Sequence, residues 1–435
     1  NNKDFLEASQ LRASKAAEVN WTDGGAASQK FPPMKPLLEQ LRTLDTYEAE
    51  GVPWGMGWGM YMAERVRGPL LRVYVAQMQA AFVVPVKQKL EAELKLADGS
   101  KYLEHWRLLK LYLMLNDVEH LDVEWATGRY TARWVEQLKV TADLSDSEMK
   151  ALCRPHVQYY FELLKAKKVV PMTLDTDLVD RVRAALQKVP IPQRYYDMFV
   201  NSLMDERIDE AGDLTIDNLV FPPKQLPLLF PDRAEVLKYF ESRRYKETQK
   251  YQEVPGPYTE KGRAAVTELI KSAGGFLEAE AWVVPMTKEE SADKVPKYIN
   301  GVAKQYENEY IKQWLEFFGD IRVKTPTTAD EAIDLYRITS TTPYPVARLV
   351  EILEDQTQWK SANPLEGNDA IAREANRRFN NRLMMYSQGI RFDVDLRQIS
   401  KDLDIIPQKF RKTTEFIRGV RSQGPGGDSR AFLYG

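Results

Sequence analysis

The sequence predicts a predominantly α-helical protein, built as elongated, multi-segment helical bundles with a few short β-strands. Apolar residues recur at three- and four-residue spacing along most of the chain. Prolines and glycines collect in a few short stretches between these runs. The chain of 435 residues, 43% of them hydrophobic, is long enough for several hydrophobic cores. We expect a helical domain over residues 1–210, a loop-rich segment with short strands and one helix over 211–290, and a helical domain over 291–435.

The first half of the chain shows the helical period clearly. It predicts a helix over residues 61–95, which Pro85 should kink or break because proline lacks the amide that continues the hydrogen-bond ladder. A second helix is predicted over 103–115, and a third over 178–189. Between the last two, the same apolar spacing continues through Trp125, Tyr130 and Trp134.

The middle of the chain changes character. Residues 209–232 combine glycines, aspartates and prolines, which favours an extended loop with one short strand. Dense turn signals over 254–259 lead into a predicted helix over 260–273, with Thr259 as its N-cap. Two glycines follow, and residues 276–286 then read as a strand.

The last part of the chain contains the clearest helix, over residues 295–318, and Gly319 is its predicted stop. Its apolar stripe consists of Ile299, Val302, Tyr306, Tyr310, Trp314 and Phe318. Thr328 and Glu331 form a capping-box signature ahead of another helix. A further helix is predicted over 346–353, and short charged helical pieces should fill the remaining residues.

Composition excludes several classes of protein. Lys plus Arg number 61 and Asp plus Glu 63, so a net charge of −2 gives no general attraction to nucleic acid or anionic lipid. The single cysteine, Cys153, allows neither an intrachain disulfide nor a thiolate zinc cage. The longest uninterrupted apolar run, residues 80–86, is far short of the ~20 residues that cross a bilayer. Residues 1–20 lack a signal-peptide layout, and we expect any targeting segment to lie upstream.

Nucleotide and metal sites have little support in the sequence. The turn Gly55-Met56-Gly57-Trp58-Gly59 precedes a helix, but it follows no strand and lacks both the dinucleotide spacing and a Gly-Lys-Ser/Thr ending. The three histidines, His105, His120 and His156, form no metal-binding motif, and Cys153 with His156 is at most half a site. We therefore expect structural roles for these residues, and no cofactor or metal.

The sequence gives similarly weak support for catalysis by a nucleophile or by paired acids. Ser147 and Lys150 have the spacing of a serine–lysine pair, but acidic neighbours and missing partner motifs favour a solvated helix start. Carboxylate pairs such as Asp175 with Asp177, or Asp393 with Asp395, are compatible with a hydrolase using two acids. With 63 acidic residues, such pairs are also expected by chance. The residues alone indicate an interaction protein rather than an enzyme.

Several segments resemble the periplasmic portion of one family when they are taken in order. They are Asn1-Asn2-Lys3-Asp4-Phe5-Leu6, Leu37-Leu38-Glu39-Gln40-Leu41-Arg42, Trp58-Gly59-Met60-Tyr61 through Phe82-Val83-Val84-Pro85, Lys110-Leu111-Tyr112-Leu113-Met114-Leu115 with Trp134, Val254-Pro255-Gly256-Pro257-Tyr258-Thr259-Glu260-Lys261-Gly262, Glu280-Ala281-Trp282-Val283, and Tyr306, Tyr310, Trp314 and Asp320. The family is TssM/IcmF, the large inner-membrane subunit of the bacterial type VI secretion membrane complex. The piece over 254–262 is the most specific. The family's cytoplasmic NTPase-like, transmembrane and carboxy-terminal β regions are not recognisable here.

The resemblance implies a structural role rather than enzymatic activity. Family members form the pillars of an envelope-spanning channel by self-association in a ring. Their partners are a TssL-type inner-membrane subunit and a TssJ-type outer-membrane lipoprotein. It implies an inner-membrane protein whose part seen here is periplasmic and is anchored only through segments outside this chain. We name no interface residues, because core and interface aromatics share the same spacing.

An α-rich hydrolase that uses paired carboxylates is the alternative. It requires two carboxylates about 5–10 Å apart across a pocket. A scaffold requires extended interfaces of at least ~1,000 Å² instead.

Overall fold

A computed structural model describes residues 2–50, 63–141, 143–204, 207–208, 214–219, 223–290, 294–341 and 344–357. Helices dominate these residues, which confirms the predominantly α fold. Contacts divide the chain into two compact units, Asn1–Leu186 and Gln187–Gly435. The predicted domain boundaries at residues 210 and 290 stay a prediction.

In the first unit, the described residues form helices joined by loops. Its α-helices are α1 (Asn2–Ala17), α2 (Phe31–Glu50), α3 (Ala63–Met78), α4 (Val84–Lys95), α5 (Tyr102–Met114), α6 (Val123–Leu138), α7 (Asp146–Lys165) and α8 (Thr176–Gln187). The Asp122 carboxylate caps α6 by accepting from the amide of Trp125. Ser145 and Glu148 form a capping box at the start of α7. These caps satisfy amides that have no partner within the helix.

Pro85 does not break the helix in which it lies. The hydrogen-bond ladder of α3 widens into a π-helical turn over Gln79–Val83, and α4 begins at Val84. Pro85 therefore occupies the first turn of α4, where the missing amide costs least. The extra residue of the π turn accommodates the proline while the chain remains helical.

The same helical run, Arg65–Lys95, is long and apolar enough to cross a membrane if only length and composition are considered. Core helices of water-soluble proteins meet the same criterion. In the first unit Leu70, Tyr74, Met78 and Phe82 of this run are at most 2% exposed. The run is therefore only a weak indication of a membrane span.

Aromatic side chains on α6 and α7 fill the core of the first unit. The ring of Trp134 lies 5.1 Å from that of Phe82, and the rings of Tyr130 and Phe161 are 4.9 Å apart. The Tyr130 hydroxyl donates to the backbone oxygen of Leu111. Tyr130 and Trp134, which the sequence places on an apolar helical stripe, are thus core residues.

The second unit mixes helices with short strands. Its α-helices are α9 (Ile191–Phe199), α10 (Arg243–Thr248), α11 (Glu260–Lys271), α12 (Ala273–Glu280), α13 (Val295–Asp320), α14 (Ala329–Ser340) and α15 (Pro345–Thr357). Its strands are β1 (Arg207–Ile208), β2 (Leu214–Leu219), β3 (Lys224–Gln225), β4 (Phe240–Ser242), β5 (Glu253–Val254) and β6 (Ile321–Val323).

Among the described residues, the strands form three antiparallel pairs, β1 with β2, β3 with β5, and β4 with β6. In the last pair Phe240 lies opposite Val323, and Ser242 lies opposite Ile321. The amide of Lys324 extends this ladder by donating to the oxygen of Tyr239 at 2.7 Å. The pairs are too short to form a core of their own, and each one fixes the end of a loop against a neighbouring segment.

The predicted strand over residues 276–286 is wrong. Residues Ala273–Glu280 form α12, which follows α11 after Ser272 alone. Ser272 keeps a φ of −94° and a ψ of 10°, close to helical values, so the two following glycines do not end the helix. The Phe276 ring packs 5.3 Å from that of Phe199. A short apolar run fits a buried helix as well as a buried strand, and its spacing alone does not distinguish the two.

Other predicted elements differ only at their ends. Helix α13 includes Gly319 and ends at Asp320, where Ile321 turns to extended backbone. Thr328 caps α14 by accepting from the amide of Glu331, as expected. The Glu331 carboxylate accepts from the amide of Thr327 instead of that of Thr328, so the capping box is only half formed.

Candidate functional site

Residues 254–262, the most specific segment of the family resemblance, form a tight structure that we call the proline-glycine turn. It starts in β5, passes through a 3-10 turn over Gly256–Tyr258, and enters α11 at Glu260. Thr259 joins the two parts, because its hydroxyl donates to the oxygen of Gly256 at 2.7 Å and accepts from the amide of Gly262 at 3.3 Å. The predicted N-cap role of Thr259 is confirmed.

Gly262 lets the first turn of α11 lie directly on the turn that precedes it. A Cβ atom at this position would lie 2.0 Å from the oxygen of Gly256 and 2.6 Å from the Cα of Pro257. Both atoms belong to the backbone and cannot move aside as a flexible side chain could. Only a residue without a side chain fits this close approach.

Aromatic side chains of α13 hold the proline-glycine turn by its backbone. The Tyr306 hydroxyl donates to the oxygen of Pro257 at 2.6 Å, and the Trp314 indole donates to the oxygen of Tyr258 at 2.9 Å. The ring of Tyr258 stacks on that of Tyr306, with centroids 5.6 Å apart. Tyr306 and Trp314 are completely buried. Each bond contributes about 1 kcal/mol, but leaving such a buried group without its partner would cost roughly 1–3 kcal/mol.

The same cluster reaches the end of α15. The Tyr310 hydroxyl donates to the oxygen of Gln356, whose side chain accepts from the amide of Glu260 at 2.8 Å. The buried guanidinium of Arg263 lies 5.5 Å from the centre of the Tyr310 ring. Burial raises the pKa of Tyr310 to about 12, so its hydroxyl stays a neutral donor. Helices α11, α13 and α15 are therefore fixed to one another by buried Tyr310 and Arg263 together with the partly exposed Gln356.

A buried ion pair fixes another part of the second unit. The guanidinium of Arg194 on α9 lies 3.2 Å from the carboxylate of Glu290, and both side chains are less than 5% exposed. The hydroxyl of Tyr195 and the amide of Thr287 also donate to Glu290, at 3.1 and 2.8 Å. The additional donors offset the cost of removing the carboxylate from water.

Two cavities lie in the described part of the second unit. The larger, of about 620 Å³, adjoins Arg194 and is lined by Lys188, Lys288, Tyr298 and one carboxylate, that of Glu289. The smaller, of about 200 Å³, is lined by Lys224, Arg348 and other residues, with Asp355 as its one carboxylate. Neither cavity offers the two facing carboxylates that the hydrolase alternative requires.

Each of the three histidines contacts a neighbouring group of the fold, and Cys153 is buried on α7. The His156 ring is buried, stacks on the ring of Tyr74 and lies 3.2 Å from its hydroxyl. Burial lowers its pKa to about 4, which keeps the ring neutral. His105 accepts from the amide of Gly99, and His120 pairs with the carboxylate of Asp117 at 2.8 Å. No group of three potential metal ligands occurs among the described residues.

The candidate catalytic pairs of the sequence that the structure describes lie at the starts of helices. Ser147 and Lys150 lie in the first turns of α7, behind the capping box. The Asp175 carboxylate accepts from the amide of Leu178 at the start of α8, and Asp177 lies in the first turn of that helix. The Gly55–Gly59 turn, the pair Asp393 and Asp395, and the helical pieces predicted after residue 357 lie outside the described residues.

An ionic network surrounds Asp45 in the first unit, and no sequence pattern predicts it. The carboxylate of Asp45 accepts from the guanidinium of Arg67 and from the hydroxyl of Tyr159. Lys168 bridges Asp45 and Glu48, at 3.6 and 2.8 Å. Because these residues come from distant parts of the chain, no local spacing predicts their meeting.

Most of the chain is similar in sequence to known proteins. Residues 32–358 match the family described as IcmF-related: Intracellular multiplication and human macrophage-killing. The type VI secretion system component TssM1 of Pseudomonas aeruginosa strain PAO1 is 25% identical over 335 residues, which cover 76% of this chain and 28% of that protein. The chain thus spans about a quarter of the length of this relative. No solved structure gives a significant match. With most of its length matched, this chain belongs to the IcmF-related family.

Proposed function

We propose that this chain is a structural scaffold segment of the type VI secretion membrane complex. It forms part of the pillars of the envelope-spanning channel through self-association. The match to the IcmF-related family over residues 32–358, together with the likeness to a TssM1 component, carries this proposal. In this role the chain is the periplasmic part of an inner-membrane protein, and segments outside residues 1–435 anchor it.

The internal contacts of the second unit suit a structural element that must withstand mechanical force. A strut must keep its shape when neighbouring subunits pull on it, and buried hydrogen bonds to backbone atoms resist such local opening. The bonds from Tyr306 and Trp314 to the proline-glycine turn tie a 26-residue helix to the segment before α11. The buried Arg194–Glu290 pair fixes α9 in the same manner.

The proposed partners are further copies of this protein, a TssL-type inner-membrane subunit and a TssJ-type outer-membrane lipoprotein. Nucleic acid is not among them, because a net charge of −2 gives no general attraction to phosphate. We propose no catalytic role. The hydrolase alternative requires two facing carboxylates, and each of the two cavities described above has a single carboxylate in its lining.

Affinity purification of the full-length protein from detergent-solubilised envelopes tests the proposal. We expect a multi-copy particle that contains a lipoprotein and a second inner-membrane protein, identified by mass spectrometry and seen by particle imaging. Recovery of a monomer without partners would refute the scaffold role.

A matched pair of variants links this result to the structure. The Gly262→Ala variant should reduce the yield of assembled particles, because the added Cβ would overlap the backbone of the proline-glycine turn. The Gly301→Ala variant adds the same atom where no neighbouring atom lies within 4 Å, and it should assemble normally. Equal yields from the two would show that this turn has no part in assembly.

A further inference from the structure

Helix α14 exposes its apolar side and packs with its charged side. Ile333 and Tyr336 are each 67% exposed, while Ile338 is buried. The carboxylate of Asp334 instead faces its own unit, where it accepts from Lys238 at 2.7 Å and from the Tyr239 hydroxyl at 3.0 Å. This is the reverse of the usual arrangement for a helix on the surface of a monomer.

The exposed side forms a continuous uncharged stripe. At 100° per residue, a sector of roughly 100° opposite Asp334 contains no charged residue. Its members, all exposed, are Ala329, Ala332, Ile333, Tyr336 and Ser340, and we call them the α14 stripe. Contiguous exposed apolar patches on soluble proteins mark interaction sites.

We propose that the α14 stripe binds the α14 stripe of a second copy of this chain, with the two helices antiparallel. A twofold axis between Ala332 and Ile333 places Tyr336 opposite Ala329 of the partner subunit, and Ile333 opposite Ala332 of the partner subunit. Each large side chain then meets a small one, the complementarity that lets two helices approach closely. The stripe is therefore complementary to itself in this direction.

The charges beside the stripe favour the same direction. Asp330 and Arg337 are seven residues apart and lie on one flank of α14, and both are exposed. The guanidinium of Arg337 also donates to the Asp334 carboxylate at 2.6 Å within the helix, so it would bridge Asp334 and the partner subunit's Asp330. Antiparallel pairing brings Asp330 of each copy near Arg337 of the partner subunit, giving two attractive contacts. Parallel pairing about a twofold axis would place the charged flanks of the two copies on opposite sides of the contact, where they could not meet. The opposed helix dipoles also favour the antiparallel arrangement.

The size of the contact points to a weak interaction. A helix of 12 residues from each copy buries less than the ~1,200 Å² of a stable interface. Tethering to one membrane raises the effective concentration of two copies to the millimolar range, where a weak contact is sufficient. The inference rests on the self-association in the proposed function and assigns one pairwise contact to it. Because a twofold contact joins only two copies, a larger assembly requires a second contact elsewhere.

Exchange of the two flanking charges tests the pairing with this chain in solution. The Asp330→Lys and Arg337→Glu variants should each self-associate roughly tenfold more weakly than the wild type in sedimentation equilibrium, because both flanking contacts become repulsive. An equimolar mixture of the two variants should associate as the wild type does, since every contact then joins opposite charges. A mixture no stronger than either variant alone would refute the antiparallel pairing, as would a wild-type chain that stays monomeric at about 1 mM.

The aromatic anchor gives a second test. Tyr336→Lys should weaken self-association by roughly 30-fold, the effect of losing a central aromatic contact. Leu96→Lys changes a side chain that is 81% exposed in the first unit and should have no effect.

The same pair of variants in the full-length protein separates the two proposals. Loss of copies from the purified complex with Tyr336→Lys, but not with Leu96→Lys, would support the α14 contact. An unchanged complex with Tyr336→Lys would refute that contact and leave the scaffold role standing. A wild-type protein that purifies without other copies would refute both.

Discussion

Replacing Gly262 with alanine should destabilise the second unit far more than its single added methyl group suggests. The new Cβ would lie 2.0 Å from the oxygen of Gly256. Ordinary contacts between carbon and oxygen are longer by more than ~1 Å, so the backbones of α11 and of the proline-glycine turn must separate by about this amount. The oxygens of Pro257 and Tyr258 would then move away from their donors on α13.

The expected cost follows from these contacts. Overpacking a tight contact costs about 1–3 kcal/mol. Weakening two buried hydrogen bonds adds a further loss of roughly 1–3 kcal/mol. The higher helix propensity of alanine adds about 1 kcal/mol to the free energy of unfolding and offsets part of this loss. The net loss is about 3 kcal/mol, which corresponds to a fall in Tm of roughly 6–12 °C for a unit of this size.

Urea and thermal unfolding, followed by circular dichroism and tryptophan fluorescence, measure this loss. The Gly301→Ala variant is the control, because an added Cβ meets nothing within 4 Å in the middle of α13. It should be neutral or slightly more stable, by up to about 1 kcal/mol. If the two variants unfold at the same midpoint, the close approach at Gly262 does not exist.

Other changes probe the remaining buried contacts. Trp314→Ala should cost about 3–5 kcal/mol, as for a large buried aromatic, and an unchanged melting midpoint would show that Trp314 is not in the core. Glu290→Gln should cost about 3–5 kcal/mol because it leaves the Arg194 guanidinium buried without its counter-charge; an effect below about 1 kcal/mol in urea unfolding would contradict this. The pKa of His156 is lowered to about 4, so the unfolded chain binds this proton first as the pH falls. The free energy of unfolding of the first unit should therefore drop by about 3 kcal/mol between pH 6.5 and 4, and a His156→Phe variant with an equally steep profile would disprove this assignment.

The helical elements follow from sequence wherever a long apolar period meets a recognisable cap. Helix α13 is predicted to within two residues at its end because six apolar residues mark one face over most of this 26-residue helix. Thr259 and Thr328 mark the starts of α11 and α14, because a side-chain oxygen at the N-cap satisfies a local amide. The predicted strand at the position of α12 is wrong because a helix of eight residues has too few turns for its apolar spacing to distinguish a helix from a strand.

The contacts between elements do not follow from local patterns. The sequence shows that Tyr306 and Trp314 share a helix face, but not that they donate to the backbone of residues 257 and 258. The Arg194–Glu290 pair and the network around Asp45 join residues far apart in the chain, and both depend on how the helices pack. The exposure of the α14 stripe is equally invisible in the sequence, because its spacing is that of an ordinary buried face.

The lone thiol of Cys153 gives the first unit a reporter that the second unit lacks. Cys153 is fully buried on α7, and burial raises the pKa of its thiol, so the thiolate that reacts with alkylating reagents does not form in the closed state. No other cysteine occurs in the sequence. The rate at which a thiol reagent labels the intact chain therefore follows the opening of the first unit alone. In living cells, the same labelling would distinguish copies whose first unit is closed from copies in which it has opened.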